Sequence, residues 1–314
     1  MATTRPQAPA TDSRAPEPSA TPAPPPAPDP AFRTVQAFYE RRPFPGYAPG
    51  DDAATILDRG RSSSFLDALD RALPASARIL DCGAGTGQVA AFLALASPRR
   101  SVVAVEPCRA SLREADGFRR RAAVHNLHLI RANLFALPFA PASFEWVLCR
   151  GVVHHTADPE RAIQAVAAQV APGGVLLLGF YESLARAAHR ARRALGRLAG
   201  RPIGSLDPIL RRRDLDPEKK RTWIEDQYLH PLEHLLPLPA VARTLERLGF
   251  EWVRSVPPEP GEAERASGAR GLFTPEPRPS AAALLARRAR WLLAGANDPD
   301  AGLVCLLVRR QARS

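Results

Sequence analysis

The 314-residue sequence predicts an α/β fold: a Rossmann-like, doubly wound sheet of seven strands, mostly parallel, with an antiparallel last strand and helical insertions. Three observations lead there. Short, nearly continuous apolar runs alternate with helical patterns from about Ser62 to Phe180, which is how parallel strands covered on both faces read. Directly after the first of these runs, RILDCGAGTGQ sets Gly83, Gly85 and Gly87 at the passage from strand to helix, the place where such sheets receive ligands. Two further apolar runs, FEWVRSVP and GLVCLLVRR, follow late in the chain and complete the strand set.

Each element has its own signal. FRTVQAFYERRPFPGY predicts a short helix, Phe32 to Arg41, broken by Pro43 and Pro45. SSSFLDALDRAL predicts a helix leading to strand RILDC, and GQVAAFLALA a helix leading to SVVAVE. A helix from Cys108 to Val124 precedes strand LHLIRA; FEWVLC is followed by a helix from Asp158 to Val170, and GVLLLGF closes the regular run. Residues 181–235 read as an insertion, after which PAVARTLERLG predicts a helix and FEWVRSVP a strand. A second insertion, 257–300, holds a helix from Ala281 to Leu293, and GLVCLLVRR supplies the last strand. The expected organisation is a disordered arm over 1–30, a cap segment over 31–60 and one domain over 61–314.

Composition narrows the class. Residues 1–30, with the stretch APEPSATPAPPPAPDP, are rich in proline and alanine with almost no large apolar side chain to offset chain entropy. No stretch has the apolar core of a secretory signal or the run of roughly 18 apolar residues that a membrane span needs. Cys82, Cys108, Cys149 and Cys305 are scattered singly, without metal-ligand spacing, which predicts reduced, mostly buried thiols in a cytoplasmic protein. The formal charge of +11 is weak evidence for a nucleic-acid partner, because the basic surplus is nearly all arginine, a bias that genome composition also produces.

The glycine loop does not fit a dinucleotide. The third position of G-x-G-x-x-G falls on Gln88, one residue past Gly87. Glu106, at the end of SVVAVE, is placed to accept hydrogen bonds from both ribose hydroxyls of an adenosine. After the third strand, Asn133 and Leu134 offer an amide for adenine's ring edge and an apolar wall. Together these describe a nucleoside site with nothing specialised for phosphate.

ILDCGAGTG, VVAVEP, NLFALPFAPASFEWVLCRGVVHH and APGGVLLLGF resemble the successive motifs of class I S-adenosylmethionine-dependent methyltransferases, in the group that includes quinone-biosynthesis C-methyltransferases. FYERRPFPGY and DQYLHPLEH add a narrower likeness to a bacterial subgroup. The resemblance covers Ser62 to Tyr181 and implies S-adenosyl-L-methionine as cofactor. It places Asp81, Gly83, Ala84, Gly85, Thr86 and Gly87 near the methionine part, Glu106 and Pro107 at the ribose, Asn133 and Leu134 at adenine, and Arg150, Gly151 and Val152 on the floor. Cys82 stands where an aliphatic residue is usual, and Asn133 where aspartate is common.

Methyl transfer needs an aligned nucleophile and a dry site, and a base only where the acceptor must lose a proton. His154 and His155, after the fourth strand, are candidates for that base; Tyr228 and His230 in DQYLHPLEH are candidate acceptor contacts. His230 and His234 have metal-like spacing, but Pro231 breaks the helical turn that would align them, so no metal site is expected. Tyr39, Arg41, Phe44 and Tyr47 either cap the cofactor or pack on the sheet. In the insertion, Leu184, Ala188, Ala191, Leu195 and Leu198 form a seam expected to dock on the domain, with arginines on the other faces. The acceptor expected is a small molecule, with no integral membrane association and no nucleic-acid partner. An RNA methyltransferase, a non-catalytic cofactor-binding module and an NAD-dependent oxidoreductase are the rival readings; the oligomeric state is open.

Overall fold

The computed structural model describes residues 29–200, 207–213, 216–257, 271–294 and 302–312. All but its last two residues, the expected arm lies outside this range. Strands β1 (Arg78–Cys82), β2 (Ser101–Val105), β3 (Leu127–Ile130), β4 (Phe144–Arg150), β5 (Val170–Tyr181), β6 (Phe250–Val256) and β7 (Leu303–Arg310) form a seven-stranded sheet of order β3-β2-β1-β4-β5-β7-β6. The first five strands pair in parallel, and β7 runs antiparallel to both β5 and β6. The chain reverses its winding direction between β1 and β4, the switch point at whose strand carboxyl ends sheets of this kind receive their ligands.

Helices cover both faces. On one, α2 (Ala53–Ser62), α3 (Ser64–Ala72), α4 (Gln88–Ala96) and α5 (Arg109–Arg121) lay Ile56, Leu69, Phe92 and Phe118 against Ile79, Val102 and Leu177. On the other, α6 (Pro159–Ala167) and α9 (Leu238–Arg247) lay Ile163, Val166, Val241 and Leu245 against Leu80, Val147 and Leu176. Alternate residues of one strand thus feed two cores, which is why the strands read as continuous apolar runs. Helix starts follow local chemistry: Asp52 caps α2 and Asp158 caps α6, where Pro159 sets the first turn.

The structure corrects three boundaries or elements. The helix expected from Asp158 to Val170 ends at Ala167, and β5 starts at Val170, ahead of the PGG turn. A register shift between Phe144 and Trp146 lets β4 pair on both sides of that turn. The expected apolar seam of the insertion does not dock. Helix α7 (Ala187–Leu198) buries His189, Arg192 and Gly196, while Leu195 and Leu198 are 47% and 86% exposed. The cause is polar anchoring: Arg186 Nη2 donates to Glu233 Oε2 at 2.7 Å, and His189 Nε2 meets the Gln227 carbonyl at 2.9 Å. That carbonyl belongs to α8 (Pro217–Tyr228), a helix without an apolar stripe whose buried residues Asp226, Gln227 and Tyr228 are all polar or phenolic.

The first helix, α1 (Pro30–Arg41), bridges two distant parts of the domain. Gln36 Nε2 donates to the Pro107 carbonyl at 3.1 Å, and the Glu40 carboxylate accepts from the N–H groups of Arg109 and Ala110 at 2.6 and 3.0 Å. At its other flank, Tyr39 donates to Asp226 at 3.0 Å, and Arg42 pairs with Glu218 and Glu225. Helix α5 has no side-chain cap of its own, so Glu40 serves as one from 69 residues away. Glu40→Ala is expected to lower stability by about 1 kcal/mol and to increase proteolysis before Ala53, read by urea denaturation and limited digestion. Unchanged digestion kinetics would show that α1 docks without this cap.

Candidate functional site

The glycine loop runs from β1 into α4. Gly85 has φ +57°, and a Cβ there would stand 2.3 Å from the Phe44 carbonyl oxygen. A Cβ on Gly83 would stand 2.4 Å from the Val152 side chain. Bare backbone is therefore required because the cap segment closes on the loop from one side and the β4 loop from the other. Thr86, fully buried, donates its hydroxyl to Pro45 O and its N–H to Phe44 O at 3.2 Å.

The loop's N–H groups are engaged within the protein. Gly83 and Ala84 donate to Val105 O at 2.8 and 3.0 Å, Gly85 to Glu106 Oε2 at 3.0 Å, and Gly87 to Ala84 O at 2.8 Å. A diphosphate needs such donors free. Glu106 instead supplies acceptors beside the loop. Its Oε1 accepts from Cys108 N at 2.9 Å and its Oε2 from Gly85 N, leaving each oxygen a lone pair for a ligand hydroxyl. Burial pushes the Glu106 carboxyl up to about 7, against the Cys108 and Gly85 N–H groups that favour its charge. Asp81, at the end of β1, is also buried and also pushed up to about 7, first by burial and then by Glu106, with Arg150 opposing. Two carboxyls poised near neutrality beside one crevice suit a cationic ligand.

The other expected cofactor contacts are placed variously. Val152 lies against Gly83, and the Pro107 carbonyl receives Gln36 and Arg131. Asn133 Oδ1 accepts from Phe135 N at 3.0 Å, capping the short turn Leu134–Ala136, in which Leu134 packs against the sheet core. Arg150 lies over Gly179 and reaches the Phe65 ring.

Beyond Val152, the turn Val153–His155 carries both histidines into the interior. Three imidazoles gather there. His155 lies between His154 and His230, with ring centroids 4.2 and 3.7 Å away; Tyr181 covers His154 at 4.0 Å, and Phe38 meets His230 at 5.0 Å. Burial pushes His154 and His155 well below the usual imidazole range and His230 down to about 4, so all three are neutral near pH 7. Their hydrogen bonds differ. His154 Nδ1 accepts from Tyr181 N at 3.3 Å and His230 Nδ1 from Leu232 N at 3.1 Å, whereas His155 Nδ1 faces the Leu232 carbonyl at 2.7 Å. The Nε2 atoms of His154 and His230 are buried without a hydrogen-bond partner, a cost a bound ligand would relieve.

Tyr228 is not part of this group: its hydroxyl donates to Asp207 at 2.7 Å and its ring lies on His189. His234 donates its N–H to His154 O at 2.8 Å, tying the segment after α8 to the histidine turn. Among the described residues, no trio of histidine, cysteine, aspartate or glutamate is arranged to hold a metal ion. Reading the sequence missed Tyr181, Gln227 and Glu40. Gln227 Nε2 bridges Tyr181 and Asp226 at 2.9 and 2.7 Å; only the position of Tyr181 at a strand's carboxyl end signalled it.

Residues 80–178 match the family described as methyltransferase domain. The chain carries an S-adenosylmethionine-dependent methyltransferase domain. It is 27% identical over 259 residues to an uncharacterized protein of Synechococcus, covering 72% of this chain and 60% of that one. It is 30% identical over 150 residues to a ubiquinone/menaquinone biosynthesis C-methyltransferase of Syntrophotalea carbinolica, covering 42% of this chain and 62% of the other. The chain thus spans about three fifths of the length of these relatives. The solved structure of PKMT2 from Rickettsia typhi in complex with AdoHcy shares the fold at TM-score 0.52 and 12% identity, over 80% of this chain and 53% of that one. S-adenosylmethionine fits the methyltransferase domain's crevice: Glu106 keeps acceptor capacity for two hydroxyls, the two carboxyls answer a cation, and the occupied loop N–H groups offer a diphosphate nothing. Among the described residues, no helix is long and apolar enough to cross a membrane, and all four cysteines are buried free thiols.

Proposed function

We propose that this protein transfers a methyl group from S-adenosylmethionine to a small-molecule acceptor held beneath α1 and α8. The observation that carries the reading is Glu106, buried, bonded to the glycine loop and still able to accept two hydroxyls. When bound, S-adenosylmethionine supplies a methyl group on a positively charged sulfur. Glu106 orients the ribose beside Pro107, Asp81 and the loop from Gly83 to Gly87 hold the methionine end, and Asn133 and Leu134 flank the adenine side. Arg150 and Val152 form the floor, and Val152 fixes the loop by contact with Gly83. His154, His155 and His230 face the acceptor, while Tyr228 supports α8 through Asp207. Phe44 and Pro45, clasped to Thr86, exclude water from the loop. Four buried free thiols support a reducing, cytoplasmic setting.

Calorimetry with S-adenosylmethionine and with NAD tests the reading: micromolar binding of the first alone is expected, and binding of NAD alone would overturn it. A pH signature accompanies it. Both crevice carboxyls are raised to about 7 in the ligand-free protein, so burying them favours the protonated form. Their contribution to stability is present below the unfolded carboxylate range and is lost as pH rises toward 7. A cation reverses the preference, so binding near pH 7 releases protons and affinity weakens as pH falls from about 8 to about 6. Calorimetry in two buffers of different ionisation enthalpy reads the release; proton uptake would contradict it.

A further inference from the structure

Resting on the methyl-transfer reading above, we propose that the acceptor is a hydroxyl flanked by a second oxygen, that His155 Nε2 takes the hydroxyl proton, and that His154 and His230 hold the neighbouring oxygen. The backbone sets the three tautomers. A carbonyl accepts only from N–H, so His155 carries its proton on Nδ1, toward Leu232 O at 2.7 Å, and presents a bare lone pair on Nε2. The Nδ1 atoms of His154 and His230 accept from Tyr181 N and Leu232 N, so each presents N–H at Nε2, and both of these are buried without a partner. One acceptor flanked by two donors is complementary to a group with one proton to give and lone pairs to receive. The His155 ring centroid lies 4.2 Å from that of His154 and 3.7 Å from that of His230, with the planes tilted by 60° and 32°, so the three rings are close enough to serve neighbouring atoms of one ligand. An amine acceptor would set its own N–H groups against the two donors.

The placement joins this group to the cofactor crevice. Val152 touches Gly83 of the loop, and the histidine turn begins at the next residue. In the transfer, the oxygen–methyl bond forms as the methyl–sulfur bond breaks, the electron pair leaves with sulfur, and the hydroxyl proton passes to His155 Nε2. One cation is lost at sulfur and one is gained at the imidazole, so the interior's net charge is unchanged. Burial makes a free-standing imidazolium costly, and this exchange makes it tolerable only during turnover. The groups facing His155 are His154 on its own turn, Tyr181 on β5, Arg186 before α7 and His230 after α8; Tyr39 on α1 stands beside His230, and Glu233 pairs with Arg186.

The test uses the full chain with methyl-13C-labelled S-adenosylmethionine and the small-molecule extract of the source cells. The carbon-13 shift of the transferred methyl reports the atom it joined. An O-methyl product supports the proposal; an N-methyl or C-methyl product overturns it and leaves methyl transfer standing; no transfer of label, with the cofactor bound, overturns both. His155→Ala is expected to bind S-adenosylmethionine as before and to lose kcat by about 100-fold or more, with a residual rate that rises with pH as the hydroxyl ionises unaided. A loss equal at every pH would assign His155 a structural role. Nitrogen-15 NMR of the histidines gives a readout independent of turnover: His155 protonated on Nε2 instead of Nδ1 would overturn the assignment.

Discussion

Glu106→Ala loses S-adenosylmethionine affinity by on the order of 100-fold, since two charge-assisted hydrogen bonds of about 1.5 kcal/mol or more each disappear. The effect is large because the same carboxylate serves the protein on one side and the ligand on the other. Without it, Gly85 N and Cys108 N lose their acceptor, so the loop loses its anchor together with its ligand contact. Glu106→Gln separates the two roles. Its carbonyl oxygen keeps one acceptor, while its amide opposes the remaining N–H, so it is expected to fall between wild type and alanine. Calorimetry checks both, with thermal unfolding to confirm that each variant is folded. Wild-type affinity in Glu106→Ala would remove the basis for placing the ribose there.

The largest expected loss of stability belongs to Arg186→Met. The guanidinium is fully buried, donates to Gln227 Oε1 at 2.7 Å and to Glu233 Oε2 at 2.7 Å, and lies 3.5 Å over the Tyr181 ring. Methionine keeps much of the volume but removes this partner, and the contact from Arg193 to Glu233 is longer, at 3.4 Å. Removing one partner of a buried pair costs about 3–5 kcal/mol, which urea denaturation would show as a matching fall in the extrapolated free energy. The double change Arg186→Met with Glu233→Leu is expected to recover part of that loss. A loss below about 1 kcal/mol in the single variant would show that the pair is not what orders the insertion.

The sheet was legible in the sequence because its strands are buried on both faces and announce themselves without regard to context. The glycine loop and Glu106 were legible because a backbone with positive φ and a carboxylate at a strand's end are local requirements. What lay beyond reading is non-local. Tyr39 meets Asp226 across 187 residues, and Glu40 caps a helix 69 residues on; no periodicity encodes either. Helix α7 was misread for a physical reason: its leucines suggested an inward seam, but the buried arginine and the histidine contact with Gln227 fix the polar face inward. The three histidines were visible as residues, but their tautomers depend on which backbone atom each Nδ1 meets, and that is set by the return of the chain after α8.

The measurement that bears most directly on the central claim is a crystal structure grown with S-adenosylhomocysteine. The account predicts the nucleoside at the carboxyl ends of β1 and β2, both ribose hydroxyls on Glu106 and the amino-acid tail along Asp81 and the glycine loop. An empty crevice at saturating ligand, or a nucleoside bound with Glu106 turned away from its sugar, would contradict it.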